Sequence, residues 1–406
     1  MSVSQETADQ VREHAVTAKV PVGLFAIAAG VMITNMFAPQ TLIGPMSASL
    51  EIKTSDSGLI AMVSLLGYAA GLFFMVPLAD LVENRSLSLR MIAVATLSAA
   101  LIPVAPNAPV LFFLLFFLGV MSSAIQVMMP LAASLAEPDK RGQVLGDIMS
   151  GVMIGILLAR PAASFLAGVW GWKAYYAVSS SVMTLLLLAL IMQMPKRVPE
   201  IPTTYSELIG SLWHLLSTEN VLLRRSFSAA IVMAGFNFFW TTIAFVLSFP
   251  PFNFNQFGVA AFALAGAGGA LVTPLVGRLA DQGYGSRVTT FAHISLVVGF
   301  ALAALSVSST IPVSFKVAAL VFSALLLDTG VLGDQTVGRY LINQLRPEAR
   351  GRINGIFVGI FFVGGAIGSA VSAMVWTSGG WNAICATGAF FGILASLTRK
   401  PSYHGN

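Results

Sequence analysis

Residues 141–174 recur, shifted by 209 positions and without a gap, as residues 350–383, and this repeat constrains the fold more than any other feature of the chain. Arg141/Arg350, Gly142/Gly351, Gly146/Gly355, Gly155/Gly364, Gly171/Gly380, Trp172/Trp381 and Ala174/Ala383 are identical pairs. Between the leading Arg-Gly and the closing Gly-Trp each copy is almost wholly apolar, so each reads as one membrane crossing with a cationic start and an aromatic end. An offset of about half the 406 residues points to a duplicated half-chain.

Apolar stretches run over 20–46, 55–81, 87–104, 109–135, 141–168, 172–194, 221–247, 257–280, 287–307, 311–345, 350–376 and 381–397. About 20 residues of helix cross ~30 Å of hydrocarbon, and in lipid only helices or closed barrels satisfy the backbone. These runs are too long for barrel strands. The expectation is an all-α membrane protein with twelve transmembrane helices in two pseudo-symmetric six-helix bundles. Composition agrees: 56% hydrophobic and 10% charged residues, with mean hydropathy +0.83, exclude a soluble domain of this length. The net charge of +5 does not mark a nucleic-acid binder, because basic residues stand singly or in twos between apolar runs. The single Cys385 excludes a disulfide framework and a Cys-based metal site. The N-terminus mixes acids and bases and is no cleavable signal, so the first span is expected to direct insertion.

Placing each Lys and Arg gives the topology. With both termini cytoplasmic, all 22 fall inside except Lys53, Lys173 and Lys316, which fall outside, and Arg160, which lies within a span. The positive-inside rule demands that skew. The resulting division is a cytoplasmic tail at 1–19, a six-helix bundle at 20–194, a linker at 195–220, a second six-helix bundle at 221–397 and a cytoplasmic tail at 398–406. In the linker Leu208, Leu212, Leu215 and Leu216 recur at helical spacing, predicting an amphipathic helix on the cytoplasmic membrane surface.

Further echoes support the duplication. Leu-Ala-Asp at 78–80 ends the second span and recurs at 279–281, each followed by a basic turn at Arg85 or Arg287. Asn35 with Phe37 matches Asn237 with Phe239 at an offset of 202. Gly277-Arg278-Leu279-Ala280-Asp281 matches the Gly-x-x-x-Asp loop signature of the major facilitator superfamily, which the chain resembles over nearly its whole length. The first-half copy keeps Asp80 and Arg85 but has Val76 for the glycine and Leu81 for the following arginine. More narrowly, Gln126-x-x-x-Pro130, Arg141-Gly142, Arg160 followed by small residues, and Leu327-Asp328 leading to Arg346 and Arg350 resemble bacterial 12-span drug:proton antiporter-like permeases. The fifth-span antiporter signature survives only as Arg160-Pro161-Ala162-Ala163-Ser164, and Leu115 replaces a common fourth-span arginine.

The resemblance implies the major facilitator fold in a bacterial plasma (inner) membrane, its bundles rocking about a central cavity lined by the first, fourth, seventh and tenth spans. It also implies a conformational latch, in which Asp80, beside Arg85, docks near Arg350, and Asp281, beside Arg287, docks near Arg141. On the residues alone, both aspartates equally suit solvated helix ends. The recurring glycines suit close packing or sliding of helices.

A charge at the centre of a span costs about 2.5–3.5 kcal/mol on insertion scales. Asp328 lies halfway along the tenth span, with Leu332, Gln335 and Arg339 following on one face toward the inside. Proton coupling needs a carboxylate that desolvation lifts toward neutrality; Asp328 is the first candidate and Asp334 the second. Each equally suits a hydrogen bond within its own bundle. Arg160 must find a carboxylate, carbonyls or an anionic ligand, which leaves structural pairing, a role in substrate or proton coupling, and snorkelling open. Substrate-cavity candidates are Asn35, Phe37 and Gln40 of the first span, Gln126 and Met129 of the fourth, Asn237, Phe238, Trp240 and Thr241 of the seventh, and Gln335. Such side chains also serve ordinary packing. His293 reads as a packed polar residue.

The expected function is secondary active transport by alternating access, as proton-coupled export of small amphipathic organic compounds. An uptake symporter for a small metabolite is the alternative within that class, and a non-transporting receptor or scaffold the alternative outside it. No enzyme is expected, since the four histidines are scattered and no HExxH, GxSxG or nucleotide-binding glycine loop occurs. The expected partners are a small molecule, protons and the bilayer, acting on a monomer, with no metal or cofactor.

Overall fold

The computed structural model describes residues 21–137, 139–199, 204–346 and 349–398. The expected tail at 1–19 and nearly all of that at 398–406 lie outside the described residues. Among the described residues all regular structure is helical. The first half holds α1 (Val22–Phe37), α2 (Pro39–Ser49), α3 (Leu59–Phe74), α4 (Asn84–Leu101), α5 (Ala108–Ser122), α6 (Ala124–Leu135), α7 (Arg141–Trp170) and α8 (Trp172–Gln193). After α9 (Tyr205–Thr218) come α10 (Asn220–Ser248), α11 (Gln256–Gly266), α12 (Thr273–Leu279), α13 (Gly285–Ala304), α14 (Val313–Ile342) and α15 (Arg350–Leu397).

Nine helical runs among the described residues are long and apolar enough to cross a membrane, and the pair α1 and α2, bent by 50° where Pro39 follows Ala38, makes a tenth. Two features separate ten from the expected twelve. The eleventh and twelfth stretches are joined in α15, which is divided at Gly380 (φ 59°, ψ −152°). The eighth stretch is broken into α11, a 3-10 turn at Ala267–Val272 and α12.

The repeat has a physical reading. Its closing Gly-Trp is a hinge: Gly171 (φ 82°) and Gly380 both sit at positive φ, which favours glycine. Each hinge is anchored by the tryptophan that follows, Trp172 at 6% and Trp381 at 8% exposure. Trp381 Nε1 donates to the Ala303 carbonyl (3.0 Å) and to Ser306 Oγ (2.8 Å). Midway along each copy, a Cβ on Gly155 would collide with the Gly30 carbonyl, and one on Gly364 with the Ala230 carbonyl. The same helix pair therefore packs backbone to backbone in both halves. Gly142, Gly146, Gly351 and Gly355 face open space instead, so close packing does not explain these four.

Burial ranks the helices. The apolar window of α10 is 89% buried, against 33% for each of α7 and α8. Leu185, Phe113 and Phe322 stay more than half exposed, on surfaces that suit lipid. The linker helix α9 forms as expected, with a Thr204/Glu207 capping box at its start. Its apolar face is turned onto the protein: Leu208 and Leu215 are buried, and Leu212 and Leu216 pack on the core. Tyr205 Oη donates to the Phe74 carbonyl at 3.0 Å. The protein itself covers this apolar face, since fixed helix ends lie within reach of the short tether.

Candidate functional site

Two buried opposite charges meet around one indole where the halves join. Arg160 of α7 is 4% exposed and Asp328 of α14 is 6% exposed. The Arg160 guanidinium carbon lies 4.1 Å from the Trp240 ring centroid, with Phe236 at 5.0 Å and Phe37 at 5.3 Å. Trp240 Nε1 donates to Asp328 Oδ1 at 2.9 Å. A cation on the face of the ring and a carboxylate on its N–H both match the polarity of the indole.

The polar atoms continue across the seam. Arg160 Nε donates to Gln40 Oε1 at 2.7 Å, and Gln40 Nε2 donates in turn to Asn237 Oδ1. Gln40 and Asn237 are fully buried. One guanidinium nitrogen of Arg160, Nη2, is buried without a hydrogen-bond partner. Small residues make the room: a Cβ on Gly269, in the 3-10 turn, would meet Asp328 Cβ at 2.7 Å. Thr241 Oγ1 donates to Ser369 Oγ at 3.0 Å beside this centre.

Phe37, Gln40, Asn237, Trp240 and Thr241 thus gather at or beside the centre. Asn35 does not: its carboxamide accepts from Ser179 Oγ (3.0 Å) and contacts Met183 Sδ (3.6 Å) within the first half. Phe238 is also withdrawn, packed at 6.4 Å on Phe300 and 5.5 Å on Phe391. The rotation of each helix, which an offset of 202 does not fix, turns both away. Gln335 is half-buried and lies outside the cavity lining described below. Asp334 is fully buried, and Arg225 Nη2 donates to its Oδ1 at 2.7 Å while His293 Nε2 lies 3.5 Å away. Ser228 Oγ is 3.2 Å from the same His293 nitrogen. All four residues belong to the second half.

A cavity of about 660 Å³ opens between the halves at the basic end. Gln126 and Met129 line it, and Gln126 Nε2 donates to Tyr68 Oη at 3.3 Å. Its charged lining is Asp80, Arg197, Arg339 and Arg352. Asp80 and Asp281 are exposed, and neither enters the four ion pairs among the described residues. Arg350 Nε donates to the Asn343 carbonyl (3.1 Å), Arg141 Nε to that of Ala136 (3.4 Å) and Arg85 Nη2 to that of Ile191 (2.5 Å), while Arg287 lies 5.1 Å from the Tyr284 ring. The expected latch arginines thus have other contacts in this conformation, and Asp80 and Arg352 both line the basic-end cavity.

Reading the residues alone missed Phe236, Tyr68, Phe362, Arg197, Arg225 and Arg352 as contributors. The aromatic residues carry no sequence signal that separates a cage from ordinary core, and Arg225 looked like one more inside cation.

The match to known proteins extends over this architecture. Residues 22–334 match the family model described as Major Facilitator Superfamily. An Escherichia coli K12 protein named "Putative uncharacterized transporter YgaY" is 34% identical over 381 residues, which is 94% of this chain and 95% of that one. A Haemophilus influenzae protein named "Probable sugar efflux transporter" is 23% identical, covering 92% and 90% of the two chains. A mutant form of the nucleoside transporter NupG superposes with a TM-score of 0.73 at 14% identity, over 93% of this chain and 98% of that structure. A half-chain repeat, paired halves with a polar centre and a family match over most of the length agree, and the chain belongs to the Major Facilitator Superfamily of multi-pass membrane transporters.

Proposed function

We propose that this transporter exports small organic compounds from the bacterial cytoplasm in exchange for protons, by alternating access at the seam between bundles 20–194 and 221–397. The observation that carries the reading is the pair of buried opposite charges, Arg160 from one half and Asp328 from the other, flanking Trp240. When the halves rock, Arg160 of the first half is drawn away from the Trp240–Asp328 pair of the second, which ties the charge state of Asp328 to the conformation. Asp328 is the proton carrier and Arg160 its counter-charge. Asp334, already paired with Arg225, is better suited to holding the second half together. The relatives named as sugar efflux transporters support the export direction.

The basic-end cavity is read as the cytoplasm-facing state with the Asp80 latch released. The altered Arg160-Pro161-Ala162-Ala163-Ser164 segment favours uptake symport as a second reading. Proteoliposomes under an imposed proton gradient test both. Asp328→Asn is expected to abolish gradient-driven flux while keeping substrate counterflow. Full gradient-driven flux by that variant refutes the assignment, and the sign of proton movement with substrate decides between export and uptake.

A further inference from the structure

Three arginines keep a buried guanidinium nitrogen without a hydrogen-bond partner among the described residues: Arg225 Nε, whose Nη2 is already held by Asp334, and one nitrogen each of Arg160 and Arg339, which have no such carboxylate. The latter two are Arg160 Nη2 at the buried centre and Arg339 Nε at the cavity wall. A buried guanidinium nitrogen left unpaired is destabilising, and a ligand that supplies the missing acceptor removes that penalty. Arg339 sits on α14 eleven residues beyond Asp328, on the same helical face. It is not a topological cation reaching for water, since it is half-buried in the wall of the cavity.

The cavity around Arg339 favours one kind of occupant. Arg197, Arg339 and Arg352 outnumber Asp80 among its charged lining residues. The remaining wall is largely apolar, with Leu72, Met129, Leu145, Met149 and Val358. At about 660 Å³ it suits a drug-sized molecule. Above it an aromatic partition separates the two free guanidinium atoms. Tyr68 touches the cavity through Gln126, its ring lies 4.7 Å from that of Phe362, Phe362 lies 6.4 Å from Phe37, and Phe37 lies 5.3 Å from the Arg160 guanidinium. Tyr68 and Phe37 come from the first half and Phe362 from the second, so any rocking of the halves parts this wall.

We propose that the substrate is an organic anion with an apolar body, received in the basic-end cavity by Arg339 and passed to the free Nη2 of Arg160 when the Tyr68–Phe362–Phe37 partition opens. The proposal rests on the alternating-access reading and names the substrate class of that site. The shared chemistry, an anionic group on an apolar body, belongs both to a free carboxylate and to the headgroup end of an anionic lipid, and the experiment separates them.

The full chain in a neutral detergent is titrated at neutral pH with 2-naphthoate, with the uncharged 2-naphthamide and with phosphatidylglycerol. Naphthoate is expected to bind on the order of tenfold more tightly than the amide, as one charge-assisted contact implies. That preference is expected to vanish in Arg339→Gln and to survive in Arg339→Lys, with unfolding midpoints checking that each variant is folded. Equal binding of naphthoate and naphthamide by the native protein overturns the proposal. So does an unchanged preference in Arg339→Gln, or binding of phosphatidylglycerol without naphthoate. For the second station, Arg160→Gln is expected to keep naphthoate binding and lose naphthoate counterflow, and retained counterflow overturns the transfer. Binding at equilibrium uses no gradient, so a failure of Asp328 as proton carrier leaves these results unaffected and the two failures are distinguishable.

Discussion

In the first half, Thr41 Oγ1 donates to the carbonyl of Arg160 at 3.4 Å; in the second, Thr241 Oγ1 donates to Ser369 Oγ at 3.0 Å. Thr241 follows Thr41 by 200 residues and Ser369 follows Arg160 by 209. Those are also the offsets that carry the Gly30/Gly155 contact onto Ala230/Gly364. At one pair of equivalent positions the duplicated backbone thus presents a guanidinium in one half and a hydroxyl in the other. The difference teaches that duplication supplies the rigid, repeated helix contacts, whereas the chemistry comes from where the copies have diverged. A symmetric pair of arginines facing each other at the seam would repel; one arginine, answered by Asp328 of the other half, makes a polarised centre.

Making the copies alike is expected to have the largest effect. Arg160→Ser copies the second half into the first and leaves Asp328 buried without the counter-charge across the Trp240 ring. Transport in proteoliposomes should fall on the order of a hundredfold or more. Flux within a few-fold of the native rate would show that the asymmetry at this position carries no function.

The packing side of the comparison predicts equality. Gly155→Leu and Gly364→Leu each drive a side chain into a facing backbone, at about 1–3 kcal/mol or more, and should lower the thermal unfolding midpoint by similar amounts. Gly351→Leu, which enters open space, should leave it nearly unchanged. Unequal losses for the first two would mean that the halves do not share the contact.

A smaller difference lies at the basic end. Glu83 caps α4, accepting from Arg85 N (2.9 Å) and Ser86 N (3.0 Å), whereas α13 starts at Gly285 with no side-chain cap. Partial burial raises the Glu83 carboxyl, but the hydrogen bonds from Ser86 and Arg85 outweigh it and hold the group below the usual glutamate range. A depressed folded-state value means that the stabilisation is present above the unfolded-state pKa and is lost as pH falls through the folded one. The native protein should therefore lose slightly more stability than Glu83→Gln between mildly acidic and strongly acidic pH. Parallel unfolding curves across that window would remove the cap from the account.

The legible parts of the centre were those that sequence chemistry makes expensive. Arg160 and Asp328 stood out because charges are rare in apolar spans, and Gln40 and Trp240 because an amide and an aromatic surface suit a mainly apolar organic molecule. Asn35 and Phe238 were misplaced because a helix turns 100° per residue, and a shift of one or two positions moves a side chain from the seam into its own bundle. Asp328 and Trp240 are 88 residues apart, and Gln40 and Asn237 are 197 apart. No local pattern encodes such contacts.

The sequence by itself determined the membrane class, the helical stretches and the duplication, because hydropathy and lipid's demand for satisfied backbone act locally along the chain. Only the tertiary structure decided which charges face each other, which latch residues stand apart and where the cavity lies. Those depend on the rotation of each helix and on how two nearly equivalent halves meet, and these are set by packing across the seam.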